Sequence, residues 1–202
     1  MAEQYFTARP AARHRAAEFV DVLRGRSLRF RTDSSVFSRS EVDPGSRLLV
    51  DTLEIGPRAS LLDLGCGYGP IGLAIAATVE GAKVVMTDVN RRATALARKN
   101  ARANGLRVDV REGDLFEPVA GLAFDAIASN PPIRAGKPVV HAIVDGAPNH
   151  LLEGGSLWFV IRTKQGAPSL REKMRSVFGN AEVVAIRGGF RVLRSNLSAT
   201  LK

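Results

Sequence analysis

Cysteine is almost missing from this chain. Of 202 residues only Cys66 is a cysteine, so no disulfide can close within it. That excludes a small scaffold held by disulfides and fits a reducing compartment. Histidine is scarce as well. His14, His141 and His150 lie far apart, in no metal-ligand spacing, so no metal is expected. No apolar run approaches the roughly 18 residues that span a bilayer. The opening stretch, "MAEQYFTARPAARHRAAEF", has no uninterrupted apolar core, so no secretion signal is expected. Internal repeats and low-complexity tracts are lacking too. These absences point to a cytoplasmic protein with no membrane partner.

What is present is an ordinary globular composition, 45% hydrophobic and 24% charged, with a net charge of +9. A basic excess of that size favours a polyanionic partner, most often nucleic acid. The charge gathers at the two ends. Residues 156–202 hold nine Lys or Arg against Glu172 and Glu182, and residues 1–31 hold seven Arg against Glu3, Glu18 and Asp21.

Strand-like and helix-like segments alternate through the middle. "ASLLDLG", "AKVVMTD", "LRVDVREGD", "LAFDAIAS" and "SLWFVIRT" read as strands. "PIGLAIAATVEG", "NRRATALARKNARANG" and "PSLREKMRSVFG" read as helices, and "VVHAIVDGAPNHLLEGG" as one helix or two. Asn90 is suited to cap the second of these helices and Gly105 to end it. "AEVVAIRGGFRVLRS" reads as a hairpin about Gly188-Gly189. Such alternation predicts an α/β fold with a doubly wound, mostly parallel sheet and one antiparallel strand from that hairpin. Ahead of it, "EFVDVLRGRSLRFRT" reads as two short strands, and "VDPGSRLLVDTLEIG" as a helix with Asp43 as N-cap and Pro44 at its first position. The expected organisation is a short β-rich extension over residues 1–42 and an α/β domain over 43–202.

The strongest local feature is "LLDLGCGYGPIG". Gly65, Gly67 and Gly69 follow a strand and precede a helix, where backbone can approach a ligand closely. The pattern is D-x-G-x-G-x-G. A pyrophosphate loop would not take a carboxylate at Asp63, whereas a ligand bearing an ammonium group would. Asp88 ends the next strand, where an acid can bind ribose hydroxyls. Asp114 ends the one after, where it can accept from an exocyclic amine such as adenine's. Ammonium, ribose and adenine together describe S-adenosylmethionine.

These segments, "DLGCGYG", "MTDVN", "EGDLF" and "SNPPI", resemble in order the motifs of the class I S-adenosylmethionine-dependent methyltransferases. The resemblance implies a seven-stranded Rossmann-like sheet and that cofactor. It implies Asp63 with Gly65, Cys66, Gly67 and Gly69 at the methionine end, Asp88, Val89 and Asn90 at the ribose, and Asp114 and Leu115 near the adenine, with Asn130 also beside the cofactor. Cys66 is expected to contribute backbone only, since nothing near it in sequence would activate a thiol.

"SNPPIRAGK" follows the fourth strand of the domain. There the Asn130 side-chain carbonyl and the Pro131 backbone carbonyl can each accept one N–H of an amine. Two acceptors would aim the nitrogen lone pair at a methyl donor. Pro131 and Pro132 hold that carbonyl in place. No cysteine lies here, which argues against methylation at C5 of a pyrimidine. Ile133 stands where many relatives carry an aromatic, and it can pack on a base without π-stacking, so Phe37 is the candidate to supply the stack. Arg134 and Lys137 flank the turn and are candidate substrate contacts. Arg29, Arg31, Lys164, Arg171, Arg175, Arg191 and Arg194 are expected to meet phosphates.

"VFS" and "DPGSRLL" ahead of the loop, "SNPPIRAGK", and the tail from "GGSLWFVIRTKQGAPSL" resemble the small-subunit ribosomal RNA guanine-N2 methyltransferases of the C type, in their short single-domain form. This implies methylation of guanine N2 in ribosomal RNA or the small ribosomal subunit. Methylation of a release-factor glutamine or of DNA adenine is the alternative among enzymes. A non-catalytic RNA-binding module is the alternative of another class, and a nicotinamide oxidoreductase is opposed by Asp63 and the N-P-P turn.

Overall fold

A computed structural model of the chain describes residues 17–33, 40–131 and 136–198. Phe37, Pro132, Ile133 and Arg134 lie outside the described residues.

The first element is a hairpin. β1 (Ala17–Leu23) and β2 (Arg26–Thr32) pair antiparallel about Arg24 and Gly25, both at positive φ. That turn geometry matches the twist of the strands it joins. Arg24 is a rare non-glycine there, and its guanidinium is held by the Val50 and Leu53 carbonyls, at 3.2 and 2.8 Å. Those carbonyls close α1 (Pro44–Thr52). Asp43 caps α1 as expected, accepting from the Gly45 and Ser46 amides.

Next come β3 (Ser60–Leu64), α2 (Pro70–Thr78), β4 (Lys83–Asp88), α3 (Arg91–Ala103), β5 (Asp109–Glu112) and β6 (Phe124–Ser129). They are followed by α4 (Gly136–Gly146), β7 (Leu151–Arg162), α5 (Ala167–Phe178), β8 (Glu182–Arg187) and β9 (Phe190–Asn196). Among the described residues the sheet has seven strands in the order β5-β4-β3-β6-β7-β9-β8. Only β9 runs against its neighbours. This is the doubly wound sheet with one antiparallel strand that the sequence predicts.

Alternate residues of the central strands feed two cores. Leu61, Ala126, Ala128, Trp158 and Val160 face α1, α2, α3 and the hairpin. Leu62, Ile127, Leu157 and Phe159 face α4 and α5. Strands buried on both faces read as continuous apolar runs for this reason. The strand order reverses between β3 and β6, where an open α/β sheet binds ligands outside the carboxyl ends of its strands.

One boundary differs from the sequence reading. "LLEGG" does not extend a helix. β7 begins at Leu151, paired with Phe124, and the register shifts before Ser156 meets Ala126. Gly155 makes this possible: a Cβ there would lie 2.8 Å from the Leu152 carbonyl oxygen and 3.0 Å from that of Phe124. Two glycines in a row resemble a turn in sequence, but here they form a bulge.

Candidate active site

The glycine loop runs from the end of β3 to the start of α2. Asp63 is fully buried beneath it and accepts from the Gly72 amide at 2.8 Å. Gly72 lets α2 come this close, since a Cβ there would lie 2.8 Å from Met86 Cγ. The other carboxylate oxygen, Oδ1, is buried with no partner among the described residues. Burial pushes the Asp63 carboxyl up to about 7, and the charge of Asp88 adds to the shift.

Asp88 ends β4. One of its oxygens accepts from the Gly67 amide and the other from the Asn90 amide, each at 2.8 Å. The carboxylate therefore ties the loop to the strand end. Burial raises its pKa against the pull of those two bonds. Val89 follows it, half-buried, and Asn90 caps α3 as expected, accepting from the Arg92 amide. Asp114 lies just past β5, exposed, and Leu115 follows at a φ of 44°. Gly113 donates to the Asp88 carbonyl and joins this turn to the end of β4. The thiol of Cys66 is buried, and its pKa is pushed up by burial first and then by Asp88 and Asp63. It is a neutral loop residue. Its amide donates to the Thr87 carbonyl.

Asn130 sits at the end of β6. Its Nδ2 donates to Ser46 Oγ at 2.9 Å and lies 3.3 Å from both Asp43 carboxylate oxygens. A carboxylate can only accept, so the amide must turn its NH2 toward Asp43. The carbonyl oxygen is then left for the opposite side. Asn130 and Pro131 also line a cavity of about 110 Å³ with Lys137 and His141 of α4, Arg162 of β7 and Phe190 of β9. Lys137, expected to touch substrate, is thus brought beside Asn130.

Two of the expected phosphate contacts are committed elsewhere. Arg194 pairs with Glu54 and Glu182, and Arg31 pairs with Glu18. In sequence, Asp43 marks a helix cap and part of the "DPGSRLL" resemblance, with no sign of its contact to Asn130. Nor does the sequence mark Asn100, a buried α3 residue that donates to the Tyr68 carbonyl in the glycine loop at 2.9 Å. No local pattern marks either role, because each partner is distant in sequence.

A family model for the methyltransferase small domain matches residues 27–194. Among curated proteins, the Bacillus subtilis "Uncharacterized protein YbxB" is 42% identical over 198 residues, covering 96% of this chain and 98% of that one. The ribosomal RNA small subunit methyltransferase C of Klebsiella pneumoniae is 35% identical over 180 residues, covering 87% of this chain and 52% of that one. Among solved structures, the Thermus thermophilus 16S rRNA N2 methyltransferase (RsmC), in complex with AdoMet and guanosine, superposes with a TM-score of 0.82 at 27% identity. It is matched over 90% of this chain and 50% of that chain. The chain therefore spans about half the length of the C-type methyltransferases it matches.

Proposed function

The chain belongs to the methyltransferase small domain family, and from that premise we propose that it methylates the exocyclic N2 amine of guanine in small-subunit ribosomal RNA, using S-adenosylmethionine. The observation that carries this reading is the orientation of Asn130. Its NH2 group is bound by Asp43 and Ser46, so its carbonyl oxygen is kept for an incoming donor. An exocyclic amine is such a donor. The likeness to the C-type ribosomal RNA enzymes supports guanine N2 and the RNA partner.

The residues fit the cofactor. Asp63 has a buried carboxylate oxygen with no partner among the described residues, the group a methionine ammonium would satisfy. Among the described residues, nothing beyond its chain neighbours lies within 4 Å of where a Cβ on Gly65 would stand, so the loop has an open side. Asp88 is half-buried and turned to the loop, within reach of ribose hydroxyls, and Asp114 stands exposed at the neighbouring strand end for the adenine amine. We assign Asp63, Gly65, Cys66, Gly67, Gly69, Asp88, Val89, Asn90, Asp114 and Leu115 to the cofactor on this basis, with Asn130 at the junction. When bound, S-adenosylmethionine supplies a methyl group on a cationic sulfur.

The chain's own part is to hold the amine. Asn130 Oδ1 and the Pro131 carbonyl accept its two N–H bonds, which makes the nitrogen more pyramidal and directs its lone pair. No side chain need remove a proton before attack, because the methylated nitrogen is acidic and loses its proton to water afterwards. A base in a paired region must first leave its stack, at about a few kcal/mol.

Asn130→Ala should keep cofactor affinity in calorimetry and lose most turnover on unmodified small-subunit ribosomal RNA. Losing one preorganised acceptor of this kind costs on the order of 10²–10³ in rate. Unchanged turnover would sink the mechanism. Tritiated cofactor assayed against ribosomal RNA, DNA and release factor tests the substrate class in one experiment.

A further inference from the structure

The turn after β6 lacks the aromatic expected to stack on a base, and Ile133 stands in its place. The cavity beside Asn130 contains a flat group of another kind. Arg162 ends β7 and is paired in register with Phe190 of β9. Its guanidinium carbon lies 4.5 Å from the centroid of the Phe190 ring. We propose that the target base stacks on Arg162, whose guanidinium stands over the Phe190 ring.

Three observations carry the inference, which rests on the reading of Asn130 as the site of amine methylation. First, position: β6 and β7 are parallel neighbours, so Asn130 and Arg162 emerge at the same carboxyl edge, and both line one cavity. Second, rigidity: Phe190 is buried, and its edge abuts α1, where a Cβ on Gly45 would lie 2.8 Å from Phe190 Cε1. The ring edge therefore lies against the backbone of the helix that also carries Ser46. Third, availability: Arg162 is exposed and makes no ion pair or hydrogen bond through its side chain among the described residues. The chain holds a contrasting pair. Arg194 lies 5.3 Å from the Trp158 ring centroid, but its guanidinium is paired with Glu54 and Glu182, whereas that of Arg162 is not paired among the described residues. RNA bases stack on arginine planes as they do on aromatic rings. A purine amine held by Asn130 would thus have its ring supported from the β7 side.

The test is a comparison of Arg162→Ala, Arg162→Lys and Arg162→Tyr. Each is assayed for KM and kcat with tritiated cofactor on transcribed small-subunit ribosomal RNA and on subunits assembled from it. Cofactor affinity by calorimetry checks that each variant is folded. Arg162→Ala should raise KM by about 5- to 150-fold, the worth of one stacked base. The tyrosine variant should recover most of that loss, because it restores a flat surface. The lysine variant should recover little, because it restores only charge. The reverse order, lysine rescuing and tyrosine failing, would identify a phosphate clamp and overturn the proposal. So would three variants indistinguishable from the parent. A parent chain that methylates none of these RNAs would overturn the reading of Asn130, and this proposal with it.

Discussion

Asp63 is a carboxyl group held where its charge is disfavoured. Burial and the nearby Asp88 raise its pKa to about 7, well above an ordinary aspartate. The raised value means that the folded, ligand-free protein binds a proton that the unfolded chain does not. From this group alone, stability falls as pH rises from about 4 to about 7. A cationic ammonium beside Oδ1 reverses the preference, because it favours the carboxylate. Cofactor binding should then release a proton near pH 6.5. Affinity should weaken as pH drops below 7, approaching tenfold per unit. Calorimetry in buffers of different ionisation enthalpy reads the proton directly. Asp63→Asn should bind weakly and lose the pH dependence. An affinity that stays flat from pH 5.5 to 8 would remove Asp63 from the methionine end.

The hairpin is joined to the glycine loop through α3. The Asn100 side chain accepts from the Arg31 amide and donates to the Arg31 carbonyl, so it completes the outer edge of β2 as a neighbouring strand would. Its Nδ2 also donates to the Tyr68 carbonyl, and the Tyr68 ring packs against Phe19 and Phe30 of the hairpin. Asn104 repeats the edge contact at Arg29, half-buried and without a link to the loop. Asn100→Ala leaves three backbone groups short of a partner and should cost about 3 kcal/mol, or roughly 6–12 °C in Tm. It should weaken cofactor binding too. Asn104→Ala should cost about 1 kcal/mol and leave the cofactor untouched. Thermal melts with and without cofactor separate the two, and equal effects would refute the link. The contrast also shows what the sequence could and could not convey. Helix ends were legible, because Asp43-Pro44 and Asn90 with Gly105 act within a few residues of themselves. The acids at the ends of β3, β4 and β5 were legible because each closes or follows a strand-like run. Asn100 gripping β2, Asp43 turning Asn130 and Phe190 carrying Arg162 were not, because each joins elements 28 to 87 residues apart. The "LLEGG" bulge was hidden by glycines that a turn would also use.

At the scale of the whole molecule, the question is whether a net charge of +9 binds RNA as a diffuse field or at particular places. For the proposed reaction, particular cations of this surface can be tested as grips on the RNA. Lys137 lines the cavity, and Lys164 lies between the lining residues Arg162 and Gln165. Both stand at the carboxyl edge of the sheet. Lys83 opens β4 and Arg107 precedes β5, at the opposite edge. All four are exposed. Replacing either pair with glutamine lowers the net charge by two, so a diffuse field would respond equally to both. A local grip would not. Each phosphate deprived of its cation should reduce the slope of log affinity against log salt by about 0.7–0.9. The Lys137→Gln, Lys164→Gln double variant should therefore lower the slope by about 1.5, with turnover at saturating RNA little changed, since phosphate contacts place the RNA without choosing the base. The Lys83→Gln, Arg107→Gln variant should leave the slope as it was. Filter-binding titrations across a salt series measure both. Equal losses from the two pairs would mean that charge alone recruits the RNA, and that the carboxyl edge holds a catalytic site but no docking face.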